Sequence, residues 1–440
     1  MSSSRLFAIV FIAGLLTLAG CEDRKYQEYD IMVPVYMSWE ELRESVALVP
    51  SAELSRPGKI YLHKGLIFVN EYMKGIHIID NSNPAAPAAA GFINVPGNID
   101  MSVKGRYLFV DSYTDLVVLD IDDLENIREA GRLKDVFPYS IPETEEPGLP
   151  ADQVYTAKGV VTGWEMERRR ERVTSQHWYP SPGWFGSKLY YTGYMQLSGG
   201  TGGWQGTGTA AGKGGSMARF GIFDNYLYGI EDRKINVFNI ADPAMPVKLT
   251  SHGVNSVIET IFILGDKMFI GGRSSMFIYD LAEPASPEYV SEYTHITACD
   301  PVVVEDDIAY VTLRGGTICG GGINRLDIID VSDLKQPELI AFHWLDEPYG
   351  LGIDNGILFL CEGENGMTVY DAANPYAIKS NIIKEFPGIH AWDVIPAGGI
   401  LLLIGDDGLY QYDYSDVSDI RLVSQIPVNQ QGPASTVDLP

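Results

Sequence analysis

The stretch GIHIIDNSNPAAP, Gly75–Pro87, is a short apolar run that ends in one acidic residue and enters a turn containing Pro. Six more stretches follow it, closing on one acidic or amide residue and, in most copies, entering a turn that contains Pro: LVVLDIDDLENI (Leu116–Ile127), INVFNIADPAMP (Ile235–Pro246), MFIYDLAEPASP (Met276–Pro287), RLDIIDVSDLKQP (Arg325–Pro337), MTVYDAANP (Met367–Pro375) and LYQYDYSDVSDI (Leu409–Ile420). The closing residues are Asp80, Asp120, Asn239, Asp280, Asp330, Asp371 and Asp413, spaced 40, 119, 41, 50, 41 and 42 residues apart. A period of about 40 residues whose units read as strands predicts the blades of a β-propeller.

Each unit divides in the same way. In the second, Asn98–Val103, Arg106–Val110, Leu116–Ile121 and Ile127–Leu133 read as four strands. Lys104-Gly105 turns the chain between the first two. Its counterparts are Lys64-Gly65, Asp224-Asn225, Gly265-Asp266, Asp306-Asp307, Asn355-Gly356 and Gly398-Gly399. Gly, Asn and Asp are the residues that tolerate the positive φ of a two-residue hairpin. The second strands (LIFVN, YLFVD, YLYGI, MFIGG, IAYVT, ILFLC, ILLLI) are near-continuous apolar runs, as strands covered on both faces must be. The expected fold is therefore all-β: a seven-bladed β-propeller of four-stranded antiparallel blades with one large loop insertion. The blades fall at 58–97, 98–138, 216–256, 257–297, 298–347, 348–388 and 389–429. This pattern resembles the LVIVP repeat of bacterial propeller lipoproteins, including those of Bacteroidota. The resemblance implies the fold and an envelope location, and no settled activity.

The N-terminus reads as an export signal. Arg5 precedes an uncharged apolar run, Leu6–Leu18, which has the length of a signal-peptide core and is too short to span a bilayer. Leu18-Ala19-Gly20-Cys21 resembles the lipobox of bacterial lipoproteins, in which the Cys is lipidated and becomes the new N-terminus. The alternative is an ordinary cleaved signal beside an incidental Cys. Glu22 and Asp23 resemble the acidic export tags of some Bacteroidota surface lipoproteins. The organisation expected is a signal peptide at 1–20, a lipidated tether with a short helix at 21–57, the propeller at 58–429 and a flexible tail at 430–440, held at the envelope, in the outer membrane. Within the tether, Ser38–Glu41 reads as a capping box opening a helix through about Val46. Ile31–Met37 reads as an edge strand helping to close the ring.

Net charge is −26, and loss of Arg5 with the signal leaves 31 basic against 58 acidic residues, or −27. Such an excess repels phosphate backbones and argues against nucleic acid as a partner.

Two spacing anomalies carry the functional reading. The excess between Asp120 and Asn239 falls at Tyr139–Gly215, after a fourth strand, and the excess in the fifth blade is LRGGTICGGGIN, Leu313–Asn324, after a second strand. In antiparallel blades these two connections open on one face, called here the top. The long insertion holds Trp164, Trp178, Trp184 and Trp204, four of the seven Trp, with Tyr179, Tyr190, Tyr191 and Tyr194, and Ser198–Gly215 is half glycine. Trp and Tyr anchor interfaces and stack on sugar-like faces; equally, they build a satellite core. Arg168, Arg169, Arg170 and Arg172 interleave with Glu165, Glu167 and Glu171, which reads as a local salt-bridge stretch before an anion site.

A second candidate lies at the top of the central channel, where the first strands begin. The aligned positions are Lys59, Asp100, Arg219, Glu259 or Ile261, Asp300, Gly350 and Asp393, with His390 just ahead. Carboxylates converging there offer oxygen ligands to a divalent cation or an acid–base pair to a substrate. The structural alternative is that they cap inner-strand ends. No spacing forms a metal motif, no catalytic residue is assigned, and no cofactor is implied beyond that cation. Cys299, Cys319 and Cys361 leave three possible disulfide pairings open. Two functions remain: a lipid-anchored binding scaffold for an envelope protein or glycan, using the top face, or a carbohydrate-active hydrolase or lyase using the channel-mouth carboxylates.

Overall fold

All seven closing residues found in the sequence do the same work. The side-chain oxygen of each accepts a hydrogen bond from the backbone N–H two residues later: Asp80 from Ser82 at 2.9 Å, Asp120 from Asp122 at 3.2 Å, Asn239 from Ala241 at 2.9 Å, Asp280 from Ala282 at 2.7 Å, Asp330 from Ser332 at 2.9 Å, Asp371 from Ala373 at 2.9 Å and Asp413 from Ser415 at 3.0 Å. Such Asx turns redirect the chain from a third to a fourth strand, and Asn serves as well as Asp because only an acceptor oxygen is needed. The next residue's N–H then bonds back to the hairpin between the first two strands, as in Asn81 to Gly65 O at 2.7 Å and Ile121 to Arg106 O at 2.8 Å. Each blade's two lower turns are thus tied together.

The computed structural model describes residues 26–144, 146, 148–172, 213–296, 298, 301–315 and 322–429. Seven four-stranded antiparallel sheets follow one another in chain order. Their first strands are Pro57–His63, Met101–Lys104, Phe220–Phe223, Ile258–Leu264, Val302–Glu305, Leu351–Asp354 and Ala391–Ala397. Every hairpin after these strands contains a positive φ, for example Lys64 at 49°, Gly105 at 64° and Asp306 at 50°. The third and fourth strands of every blade share one register shift, such as that between Ile78 and Ile79. These bulges sharpen the local twist.

The second and third strands are buried on both faces and pack blade against blade. Ile76, Val103 and Val110 share one core cluster, and Ile60, Ile67, Ile395 and Leu402 share the cluster that joins the last blade to the first. Every blade takes its four strands from one continuous stretch, so closure relies on packing, on side-chain bonds and on one backbone bridge, in which Leu54, ahead of blade one, pairs in parallel with Val428, past the last strand, and accepts from Asn429 N at 2.8 Å. Asn81 and Gln411 exchange two amide hydrogen bonds, at 2.9 and 2.7 Å, and Ser424 donates to Pro84 O at 2.7 Å.

The chain divides into two units. The propeller unit comprises 37–141 and 192–440. Its helix, Trp39–Glu44, is opened by the capping box expected of Ser38 and Glu41. The added edge strand is Ala47–Val49, on the outer strand Ala88–Asn94 of blade one. The other unit comprises 1–36 and 142–191. Here the expectation for Ile31–Met37 is corrected: Tyr26–Met37 pairs with Val160–Arg172 in a two-stranded sheet. Pairing across more than a hundred residues leaves no local signal. Among the described residues of this unit, Ile31, Met32, Val160 and Val161 are buried.

Candidate functional site

The channel-mouth positions come together, but mostly to bind one another. Lys59 Nζ lies 2.8 Å from Asp100 Oδ2, with the two residues only 7% and 3% exposed. The same oxygen accepts the backbone N–H groups of Arg219 and of Phe220, the latter at 3.0 Å, while Asp100 Oδ1 accepts from Met101 N at 2.7 Å. Asp100 therefore fastens the start of blade three to the start of blade two. Burial pulls the Lys59 ammonium pKa down, against the opposing attraction of Asp100.

Beside them sits Asp111, which sequence reasoning did not single out. Its Oδ1 accepts from Asn98 Nδ2 at 2.9 Å, Ile99 N at 2.8 Å and Asp100 N at 2.9 Å. Burial raises its carboxyl to about 6, even though these backbone donors oppose the shift. Asp100, Asp111, Arg219 and Glu231 line a crevice of about 20 Å³, room for roughly one water.

The axial space itself is filled by the chain returning from the insertion. Lys213–Gly214 pairs with Tyr61 and Leu62 on the free edge of blade one's inner strand. Ser216 Oγ then accepts from Leu351 N of blade six at 3.2 Å, and Ala218 O accepts from Ile261 N of blade four at 2.8 Å. With Asp100 of blade two holding Arg219 and Phe220, eight consecutive residues touch the inner strands of four blades before entering a fifth. Ser216 and Met217 are buried. The Gly-rich composition at 214–215 finds its reason here: a Cβ on Gly214 would meet the Tyr61 ring at 2.9 Å.

The remaining candidates are scattered. Glu259 meets Arg273 Nε at 3.1 Å; burial raises its carboxyl while Arg273 opposes. Arg314, also not anticipated, stacks 4.0 Å from the Tyr349 ring centre. His390 pairs with Asp406, and its N–H bonds Asp407 Oδ2 at 3.1 Å. Asp393 is fully buried, and burial pushes its carboxyl pKa well up, with the Val394 N–H and the Lys59 charge opposing the shift. Among the described residues no three His, Cys, Asp or Glu side chains converge as a metal site. Cys361 is a buried free thiol. Cys21, Trp178, Trp184, Trp204, Cys299, Asp300 and Cys319 lie outside the described residues.

In the smaller unit, Trp164 is half-buried and donates its Nε1–H to Pro142 O at 2.7 Å. The Arg run is paired, but mainly with acids outside the run and not with those interleaved in it, of which Glu167 alone is such a partner among the described residues. Arg168 meets Asp30 at 2.8 Å and Arg169 meets Asp152 at 2.6 Å and Glu167 at 3.1 Å. Tyr26, Tyr155 and Met166 remain exposed on this unit.

The LVIVD repeat family model matches residues 98–135 and 300–342. These two stretches are similar to the LVIVD repeat, written LVIVP above, and each holds a closing Asp that makes the Asx turn, Asp120 and Asp330. Among solved structures, a Lactobacillus plantarum protein is 8% identical with a TM-score of 0.54, over 86% of this chain and 98% of that one. The Pseudomonas aeruginosa periplasmic gluconolactonase PpgL is 8% identical with a TM-score of 0.51, over 84% and 96%. The computationally designed Ika8 protein is 10% identical with a TM-score of 0.50, over 87% and 91%. These likenesses establish the propeller fold alone. No curated protein matches the sequence.

Proposed function

We propose that this propeller is a lipid-anchored binding scaffold of the bacterial cell envelope, which presents its excursion to a partner protein or glycan. The observation that carries this reading is the commitment of the axial polar groups to internal bonds. Asp100, the best-placed carboxylate for acid–base work, has four donors, and residues 213–220 occupy the space a substrate would need. Binding surface must then lie outside the channel. The excursion offers exposed Tyr26, Tyr155 and Met166, of the kind that anchors interfaces. Anchoring at the outer membrane rests on Leu6–Leu18 and the lipobox-like Leu18–Cys21.

The test is cross-linking of the full chain in its own cells, with a glycan array run on purified protein. Replacing Tyr26, Tyr155 and Met166 together by Ala should abolish one discrete cross-linked species or one glycan signal. Unchanged capture by that variant would refute the excursion as the contact surface. Cys21→Ser should move the protein from the membrane fraction to the soluble fraction; retention in membranes would refute the lipid anchor.

A further inference from the structure

Lys59 and Asp100 are an amine and a carboxyl held in contact where water is scarce. With Nζ 2.8 Å from Oδ2, the nitrogen lies at most about 4 Å from the carboxyl carbon. Atoms about 3–3.5 Å apart are placed to react, so a small rotation of either side chain is enough.

Three features go beyond what an ion pair needs. The first concerns the electrophile. Oδ2 accepts two backbone N–H groups, those of Arg219 and Phe220, which draw electrons from the carbon as an oxyanion hole does. Oδ1 accepts only from Met101 N among the described residues. The second is room for a product. Asp100 lines the one-water crevice, whose walls include Tyr113, Phe137, Phe220 and Ile230. The third is a proton carrier. Asp111 lines the same crevice and accepts the Asp100 N–H at 2.9 Å, and burial raises its carboxyl to about 6.

We propose that Lys59 and Asp100 condense after folding into an isopeptide bond, which joins blade one to blade two covalently. The nitrogen bonds to the side-chain carbon, the bond from that carbon to Oδ1 breaks, and Oδ1 leaves as water with two hydrogens of the ammonium. Asp111 relays protons between nitrogen and leaving oxygen. Oδ2 stays as the amide oxygen on its two N–H donors, the nitrogen keeps its third hydrogen, and nothing is oxidised or reduced. One cation and one anion become a neutral amide. Two solvated ions resist such a step, because it discharges both. Here burial has already stripped them of water, so the step relieves a desolvation penalty. The ion pair is the state before condensation. Lys59→Met and Asp100→Ala both lack the bond, so the difference between their stabilities reports on the amides that Asp100 holds. The bond does not rest on the scaffold reading.

The experiment purifies the full chain from its own cells without any cross-linking reagent, denatures it, digests it with trypsin and applies tandem mass spectrometry. A branched peptide is expected, carrying Lys59 and Asp100, uncut after Lys59 and lighter than its two parts by one water. Lys59→Arg keeps the positive charge but offers no amine, and should give no branched peptide. Separate, unmodified peptides from the natural chain overturn the proposal, whether or not the variant folds. Loss of water confined to a linear Asp100 peptide also overturns it, since a succinimide then accounts for the mass. So does a branched peptide that persists in Lys59→Arg, because another amine must then supply the link.

Discussion

The Lys59 ammonium and the Asp100 carboxylate meet at 2.8 Å across the junction of blades one and two, both buried. The two partners are not equivalent. Without Lys59, Asp100 keeps three backbone donors; without Asp100, a buried cation and three N–H groups lose their acceptor. Asp100→Ala should therefore cost about 3–5 kcal/mol, and Lys59→Met distinctly less. Urea unfolding of the two variants checks the order, and equal losses would refute this account of the mouth.

Glu71 and Asp111 should give opposite pH signatures. Ser55 Oγ, Arg56 N and His77 all donate to Glu71, and against the upward pull of burial they hold it down to about 2. A carboxyl depressed in the folded state stabilises above its unfolded pKa, and that contribution is lost as pH falls from about 4.5 towards 2. Glu71→Gln should thus cost up to about 3 kcal/mol at pH 7 and progressively less on acidification. Asp111 is raised to about 6, so the folded state loses stability as pH rises from 3.8 through 6. Asp111→Asn should raise the unfolding midpoint at pH 8 and bring no gain at pH 4. A destabilised Asp111→Asn at pH 8 would sink this assignment.

The Asx turns allow a sharper test of the repeat. Asp371 accepts from Ala373 N and makes no ion pair among the described residues. Asp371→Ala should lose about 1 kcal/mol, while Asp371→Asn should be near neutral, because Asn239 already fills the same position in blade three. Thermal unfolding of the two variants separates an acceptor requirement from a charge requirement.

A Cβ on Gly350 would lie 2.3 Å from Asp393 Oδ1 and 2.9 Å from Trp392 O. Gly350→Ala should destabilise by about 1–3 kcal/mol, and much of that should return when Asp393→Ala removes the nearer atom. A double-mutant cycle measures the coupling; strict additivity would mean that the clash is relieved elsewhere.

The blades were legible because each one is written locally. The closing Asp contacts a residue two positions away, the hairpin needs positive φ at one or two positions, and the four strands are contiguous. What stayed hidden was written across distance. Nothing in YQEYDIMVPVYM announces a partner at Val160–Arg172, and nothing at Lys213–Ala218 announces blades one, four and six. Alignment on the hairpin turns did locate Lys59, Asp100 and Arg219 together. It could not tell that Asp100 would be occupied by amides from the next blade, since those arrive only after the insertion.

The docking of Gly214 against blade one has a consequence for how the molecule comes apart. A single scission between residues 173 and 212 would separate blades one and two from the other five in covalent terms only. The first fragment would still be gripped on both flanks, by the Asn81–Gln411 amides and by Asp100 on Phe220, and threaded by a strand belonging to its counterpart. Two polypeptides made separately at that cut should reconstitute one ring.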